Sequence, residues 1–187
     1  VMRKKEENKK NVPQEVLSAR DDYEWLQSLL VALIICVNLF VFCFRLIDVN
    51  GSSMLPTLVN GDKMFVSGLL YTPKQGDVVI FKTDSYDPNK ALVKRVIATA
   101  GQTINIDFDK GIVYVDGVPY EEDYIKELTH NKLNFIGPKT VPENCVFVMG
   151  DNRNASTDSR DSRIGMVDTR MIIGRAYAVI YPFADFG

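Results

Sequence analysis

Histidine and cysteine are scarce in this chain. One histidine, His130, and three cysteines occur among 187 residues. Cys36 and Cys43 lie inside a long apolar run, which leaves Cys145 alone in the rest of the sequence, so the main domain cannot form an internal disulfide. No Cys/His spacing suits a zinc ion. We therefore expect neither a metal nor another cofactor.

An excess of charge of one sign is also lacking. The chain carries 22 Lys and Arg against 24 Asp and Glu, for a net charge of −2. No basic excess is available to neutralise phosphates, so we expect no nucleic-acid partner. The length suits one domain with its own hydrophobic core, plus an appendage.

What the sequence does contain is one long apolar run, from Trp25 to Ile47. Its centre, Leu29 to Phe44, spans about 24 Å as a helix, and an interfacial Trp25 and a snorkelling Arg45 extend it. We predict a membrane anchor over 25–47, a cytoplasmic segment over 1–24 and an extracytoplasmic domain over 48–187. The orientation follows from the basic residues before the run, Arg3, Lys4, Lys5, Lys9 and Lys10.

Two other interpretations of the apolar run are open. A cleaved signal peptide would need a small-x-small cleavage site after the run, which we do not find, and the preceding charged region is long for one. A core helix of a soluble protein is less favoured because the run is long.

Short β-like runs separated by turn residues follow the anchor. An Asp116-Gly117 pair predicts a hairpin turn. The pattern predicts a mainly β domain, an antiparallel sandwich or irregular barrel. Residues 120–140 are polar and predict a surface insertion, and 168–173 suggest a short helix. The predicted strands are 63–66, 78–81, 91–98, 103–108, 112–115, 118–119, 145–149 and 175–181.

Ser53 lies nine residues beyond Phe44, where the centre of the apolar run ends, inside Gly51-Ser52-Ser53-Met54-Leu55-Pro56-Thr57. Turn-forming residues on both sides constrain its backbone. Nine extended residues span at most about 32 Å, which keeps this serine close to a bilayer. We therefore expect chemistry on a substrate that is itself in the membrane.

A serine nucleophile needs a group that accepts its proton. His130 lies among polar residues, and we interpret it as a solvated loop residue. Lys94 is the other candidate, because strand alternation places it between Leu92 and Val96 on one face. Burial there would lower its pKa from about 10.4 and make it a base near neutral pH. The alternative is an ordinary lysine at a strand edge.

The polar stretch from Met149 to Arg160 is unlike ordinary surface. It is either a hydrogen-bonded loop of capping and ion-pairing side chains, or a network that also holds a neighbouring site rigid. In the second case Ser156 would orient a lysine by accepting a hydrogen bond from it.

These three segments behind one anchor resemble type I signal peptidases, which are membrane-bound Ser-Lys proteases, and in particular the small single-anchor forms of Gram-positive bacteria. Gly51 to Leu58 resembles the nucleophile box of that family. Val93-Lys94-Arg95-Val96-Ile97 resembles its lysine box. The last box is matched by Gly150-Asp151-Asn152-Arg153 with Ser156, Asp158, Ser159 and Arg160.

The resemblance implies a role for each matched residue. Ser53 would be the nucleophile, with its backbone N–H holding the oxyanion, and Lys94 the general base, oriented by Ser156. Asp158 and Arg160 would form a structural ion pair behind the site. A second copy, Asp161-Ser162-Arg163, follows the first, and only the first has the family's spacing to Gly150.

Four apolar residues match positions that line the family's pockets for small side chains at the first and third positions before the cut. Ordinary core residues are the alternative for them. They are Ile47, Val49, Met54 and Val93.

The implied function is removal of signal peptides from exported preproteins after Ala-x-Ala-type sites. Expected partners are signal peptides, membrane lipid and the secretion translocon, at the cell membrane. The alternative is a non-enzymatic signal-peptidase-like factor in pilus or secretion assembly, but such relatives lack the serine and the lysine. Self-cleaving Ser-Lys repressors share the chemistry, but the membrane helix and the absence of a DNA-binding segment count against that group.

Overall fold

Two compact units make up the chain, residues 1–42 and 43–187. The computed structural model describes residues 14–43, 45–83, 85–87 and 90–181. A long helix, α1, covers Gln14–Cys43. Its segment Tyr23–Val41 is long and apolar enough to cross a membrane, with a mean hydropathy of 2.0 and no part buried. The helix therefore fits a membrane anchor.

Eleven strands follow within the described residues, and they form two antiparallel sheets. Alternating apolar residues and intervening turns account for most of them. The strands are β1 (Arg45–Asp48), β2 (Lys63–Ser67), β3 (Val78–Phe81), β4 (Leu92–Thr99), β5 (Thr103–Asp107), β6 (Ile112–Val115), β7 (Val118–Pro119), β8 (Lys139–Thr140), β9 (Cys145–Met149), β10 (Val167–Asp168) and β11 (Ile172–Tyr181).

The larger sheet has the order β1-β2-β11-β3-β4-β9-β10, and the smaller one β7-β6-β5-β8. In the larger sheet β4 is an interior strand, because it pairs with β3 on one side and with β9 on the other. In the smaller sheet, β6 and β7 are joined at Asp116 and Gly117, whose φ angles of 53° and 80° match the predicted Asp-Gly hairpin.

Two buried clusters matter most for the site. One lies at β4, β5, β6 and β9 and includes Phe135 and Phe147, whose rings meet edge to face at 5.7 Å between centroids. The other packs the serine-bearing turn onto the larger sheet, through Val49, Met54, Leu58, Met64, Val66 and Ile80.

The predicted mainly β fold with one N-terminal apolar helix is confirmed, and two details need correction. The helix ends at Cys43 and not at Ile47, because Arg45–Asp48 instead pair with β2. The short helix expected over 168–173 is only a 3-10 turn, Thr169–Met171, between β10 and β11. Of the predicted cytoplasmic segment, residues 1–13 lie outside the described residues.

The region 120–140, which we expected to be a surface insertion, is partly built into the domain. Thr129 is fully buried, and Phe135 is 1% exposed within the aromatic cluster. The polar composition of this stretch concealed these inward-facing positions.

Replacing Phe135 by Ala should therefore destabilise the domain strongly. Loss of a buried aromatic ring costs about 3–5 kcal/mol. The neighbouring Ile136 is 75% exposed, and its replacement by Ala should cost less than about 0.5 kcal/mol. Urea unfolding of both variants followed by circular dichroism measures the difference. Equal stabilities would contradict the structural role of this region.

Candidate active site

The turn that carries Ser53 is anchored at several points. The Gly51 N–H donates to the Asn60 side chain at 2.8 Å, and the Leu58 N–H donates to the Met54 carbonyl at 3.0 Å. The Met54 side chain is buried in the apolar cluster beneath the turn. Ser53 itself is half-buried. The turn therefore presents the serine hydroxyl from a fixed backbone.

Lys94 contacts this serine from the interior strand β4. Leu92, Lys94 and Val96 all point to one buried face, as the alternation predicted. Lys94 is 3% exposed, and its Nζ lies 2.6 Å from Ser53 Oγ. Burial lowers the pKa of Lys94 from 10.5 to about 8, against the opposing pull of the Asp158 carboxylate. The site thus pairs a hydroxyl with an amine that loses its proton easily.

A buried ion pair lies behind the lysine, in the loop that follows β9. Both side chains of Asp158 and Arg160 are fully buried, 2.8 Å apart. Asp158 also accepts a hydrogen bond from the Gly150 N–H at 3.0 Å. Burial would raise the pKa of Asp158, but the hydrogen bonds and the charge of Arg160 outweigh it and leave the pKa below its usual range. The carboxylate is therefore a permanent negative charge near Lys94.

The same loop holds the backbone of the serine turn. The Asn152 N–H donates to the Ser53 carbonyl at 3.0 Å, and the Asn152 side chain donates to the Ser52 carbonyl at 2.9 Å. A Cβ on Gly150 would lie 2.4 Å from the Ser53 carbonyl oxygen. Only glycine permits so close an approach at this position.

A second ion pair ties the lysine strand to the loop and the serine turn. Arg95 donates to both carboxylate oxygens of Asp151, at 3.0 and 2.7 Å. Asp151 also accepts a hydrogen bond from the Thr57 hydroxyl at 2.5 Å. One carboxylate thereby joins the three segments that we singled out in the sequence, although we did not predict this link.

Ser156 is placed beside the site but does not make the hydrogen bond expected of it. Its Oγ is buried and has no hydrogen-bond partner among the described residues. Lys94 Nζ contacts Ser53 Oγ, while Ser156 Oγ packs against Gly150, where a Cβ would lie only 2.3 Å away. Its role in orienting Lys94 stays a prediction.

The two Asp-Ser-Arg copies differ in burial. Asp158 and Arg160 are both buried, whereas the Arg163 side chain of the second pair is 62% exposed and contacts Asp161 on the surface. The structure thus places the first copy behind Lys94, where our sequence alignment put it.

A cleft of about 390 Å³ opens beside Ser53 and Lys94. It is formed by β1, the serine turn and the start of β4, and it takes in the four predicted substrate-binding residues, Ile47, Val49, Met54 and Val93. All four also pack in or against the apolar cluster under the turn, so they serve as core at the same time. Tyr86 and Lys90, which we did not predict, line the same cleft.

His130 lies apart from this cleft. It is exposed, and its Nδ1 lies 2.9 Å from the Phe108 carbonyl oxygen. This position agrees with a solvated loop residue. Within the part of the chain that the structure describes, no group of three His, Cys, Asp or Glu side chains could hold a metal ion.

The sequence was compared with known families and proteins. A family model described as "Signal peptidase, peptidase S26" matches residues 23–181. The chain belongs to the signal peptidase family. A probable signal peptidase I-1 from Synechocystis is 38% identical over 85% of this chain and 82% of the relative. A signal peptidase I from Bacillus licheniformis is 34% identical over 87% of this chain and 90% of the relative.

Among solved structures, the signal peptidase I from Enterococcus faecalis V583 is 29% identical to this chain. The alignment covers 56% of this chain and 97% of the other, with a TM-score of 0.44.

Burial of Lys94 should lower the free energy of unfolding of this signal peptidase at neutral pH. Lowering a lysine pKa from 10.5 to about 8 corresponds to a cost of about 3 kcal/mol. The cost is fully present below pH 8, where the folded and unfolded states both bind the proton. It falls as the pH rises from 8 to 10.5, because the unfolded state then binds more protons than the folded one.

Replacing Lys94 by Met should therefore raise the free energy of unfolding by about 1–3 kcal/mol at pH 7. The gain should shrink towards pH 10.5. Urea unfolding of the wild type and the variant at several pH values measures it. A variant that is less stable than the wild type at pH 7, or a gain that does not depend on pH, would contradict this account of the lysine.

Proposed function

We propose that this chain is a membrane-anchored serine endopeptidase that removes signal peptides from exported preproteins through a Ser53–Lys94 dyad. The observation that carries the proposal is the 2.6 Å separation of Lys94 Nζ and Ser53 Oγ, between a buried lysine and a half-buried serine that both line one cleft. Relatives named signal peptidase I, with 30–38% identity, support the substrate class.

The dyad geometry suits nucleophilic catalysis. A neutral Lys94 accepts the Ser53 hydroxyl proton while Oγ attacks the scissile carbonyl carbon. The resulting ammonium donates that proton to the leaving amine, and the signal peptide remains as an ester on Ser53. Lys94, neutral again, activates a water molecule, which hydrolyses the ester and frees the serine.

The backbone N–H of Ser53 is the donor that we assign to the oxyanion. Such a donor contributes about 3 kcal/mol to acyl transfer. The residue two positions earlier is Gly51, so no hydroxyl is available there as a second donor. In this role the rigid turn matters, because the N–H must already point at the oxyanion when the carbonyl is attacked.

The loop after β9 supports the dyad in this proposal. Asp158, held by Arg160, accepts a hydrogen bond from the Gly150 N–H and places its negative charge near Lys94. We propose that Ser156 orients Lys94 during the reaction by accepting a hydrogen bond from it, when the Lys94–Ser53 hydrogen bond is broken. Its unpaired buried hydroxyl is the observation that supports this role.

The cleft accounts for a preference for small residues before the cut. Its apolar wall is built from side chains that also belong to the core, so it cannot widen without disturbing the fold. We therefore propose cleavage after Ala-x-Ala-type sequences, with Ile47, Val49, Met54 and Val93 lining the pockets.

The location that we propose is the cell membrane, with one pass and the peptidase domain outside. The apolar segment of α1 supports the anchor, and the basic residues before it support a cytoplasmic N-terminus. Membrane lipid and the secretion translocon are the partners that fit this location. A non-enzymatic assembly factor is less favoured, because this chain keeps both members of the dyad.

Ser53→Ala and Lys94→Met should each abolish processing of a preprotein with an Ala-x-Ala site, lowering the rate by at least about 1000-fold, because each removes a reacting group. Lys110, which is well exposed in the turn between β5 and β6, provides the control, and Lys110→Met should process at the wild-type rate. Gel assays with the detergent-solubilised chain measure this. Normal processing by either dyad variant would exclude the mechanism, whereas an inactive wild type would favour the assembly factor.

The rate should depend on pH through Lys94. With a pKa of about 8, only about a tenth of the lysine is neutral at pH 7. We expect kcat/KM to rise about tenfold per pH unit up to roughly pH 8 and then to level off. A pH profile with a peptide substrate measures the inflection. A rate already constant between pH 5 and 7 would show that another group is the base.

A further inference from the structure

The region after β7 does more than cover the surface of the domain. Residues 122–134, which we term the clasp, contact the loop 150–160 along its length. The Lys126 N–H donates to the Asp151 carbonyl at 3.1 Å, and the N–H groups of His130 and Asn131 both donate to the Asn154 side chain. The clasp therefore holds the loop that supports the dyad.

The strongest contact between them is a buried ion pair of Glu122 and Arg153. Glu122 accepts hydrogen bonds from both terminal nitrogens of Arg153, and the two side chains are 6% and 0% exposed. A two-point contact between a carboxylate and a guanidinium fixes direction as well as distance. Arg153 also donates to the buried Thr129 hydroxyl at 3.0 Å, so the clasp holds this guanidinium from two sides.

Arg153 in turn contacts the backbone that lies against the dyad. Its Nε donates to the Gly150 carbonyl at 3.1 Å, and its own carbonyl accepts a hydrogen bond from Arg160 at 2.6 Å. Gly150 is the residue whose backbone lies against the Ser53 carbonyl and the Ser156 hydroxyl. A shift of Arg153 would therefore move the contact surface of the nucleophile turn.

Tyr124 makes a second connection from the clasp to the dyad strand. Its ring lies 3.9 Å from the guanidinium carbon of Arg95, the residue after Lys94. Its hydroxyl donates to Glu122 at 3.2 Å. The clasp thus contacts both segments that hold Lys94 and Ser53 in place, the loop through Glu122 and the strand through Tyr124.

We propose that Glu122 is a positioning residue for peptide-bond cleavage, acting through Arg153 on the Lys94–Ser53 geometry. The inference rests on the proposed function of the dyad. Glu122 does not touch the reacting atoms, and none of the residues that line the cleft belongs to the clasp. Its loss should therefore lower kcat and leave KM nearly unchanged.

The test compares two isosteric variants of the 187-residue chain in detergent. Glu122→Gln places an amide N–H against an Arg153 N–H and removes the charge. Glu121→Gln makes the same chemical change at the adjacent position, which is exposed. We expect kcat to fall about 10- to 100-fold for Glu122→Gln, with KM within about twofold, because small misplacements of reacting groups have effects of this size. Glu121→Gln should match the wild type.

Two further measurements separate positioning from loss of folding. Glu122→Asp keeps the charge and should recover part of kcat. Thermal unfolding should show Glu122→Gln fully folded at the assay temperature, and hydrogen exchange should quicken in residues 150–160. If kcat is unchanged, if KM rises instead, or if the loss only follows the unfolded fraction, Glu122 is not a positioning residue.

The same assays keep the two proposals apart. If Ser53→Ala retains activity, the proposed dyad is wrong. If Ser53→Ala is inactive while Glu122→Gln behaves like Glu121→Gln, the dyad stands and only the positioning role is excluded.

Discussion

The site depends on keeping the Lys94 amine out of water beside a serine hydroxyl. An ammonium group resists burial, so the protein must compensate for its desolvation or let the proton leave. In this site the protein partly compensates for the desolvation and also makes the proton easier to lose. Asp158 provides a negative charge nearby, yet burial still prevails and the pKa falls to about 8. The buried arginine–carboxylate pairs around the lysine follow from this requirement, because an unpaired charge there would add a further cost.

Those pairs also give the site its rigidity. Asp151 joins Arg95 and Thr57, and Asp158 joins Arg160 and the Gly150 N–H. Asp151 connects segments that are distant in sequence, so the strand, the turn and the loop cannot move independently. Asp158 fixes the conformation of the loop itself. The peptidase chemistry that we propose needs such a network, since preorganised groups act without rearranging during the reaction.

The parts of the site that follow from local patterns were predictable. Strand alternation placed Lys94 inward, and turn residues placed Ser53 at a constrained position. The two-residue strand β8 and the pairing of β1 were not predictable, because both depend on a distant partner strand. The same holds for Glu122, whose partner Arg153 lies 31 positions away. From sequence alone a polar stretch is predicted to lie on the surface, because the buried residue with which it pairs is not apparent.

The two hydrogen bonds from Asn152 to the Ser52 and Ser53 carbonyls have a consequence for the substrate. They leave rotation about one side-chain bond as the main freedom of the Ser53 hydroxyl, so in the mechanism that we propose the scissile carbonyl has to come to a nearly fixed point in space. A peptide can do this only if its own backbone is free to extend and bend. A segment held in a stable helix or sheet would first have to unfold locally, at a cost of several kcal/mol. In the proposed mechanism, this rigidity would favour cleavage in pliant segments over cleavage in folded domains.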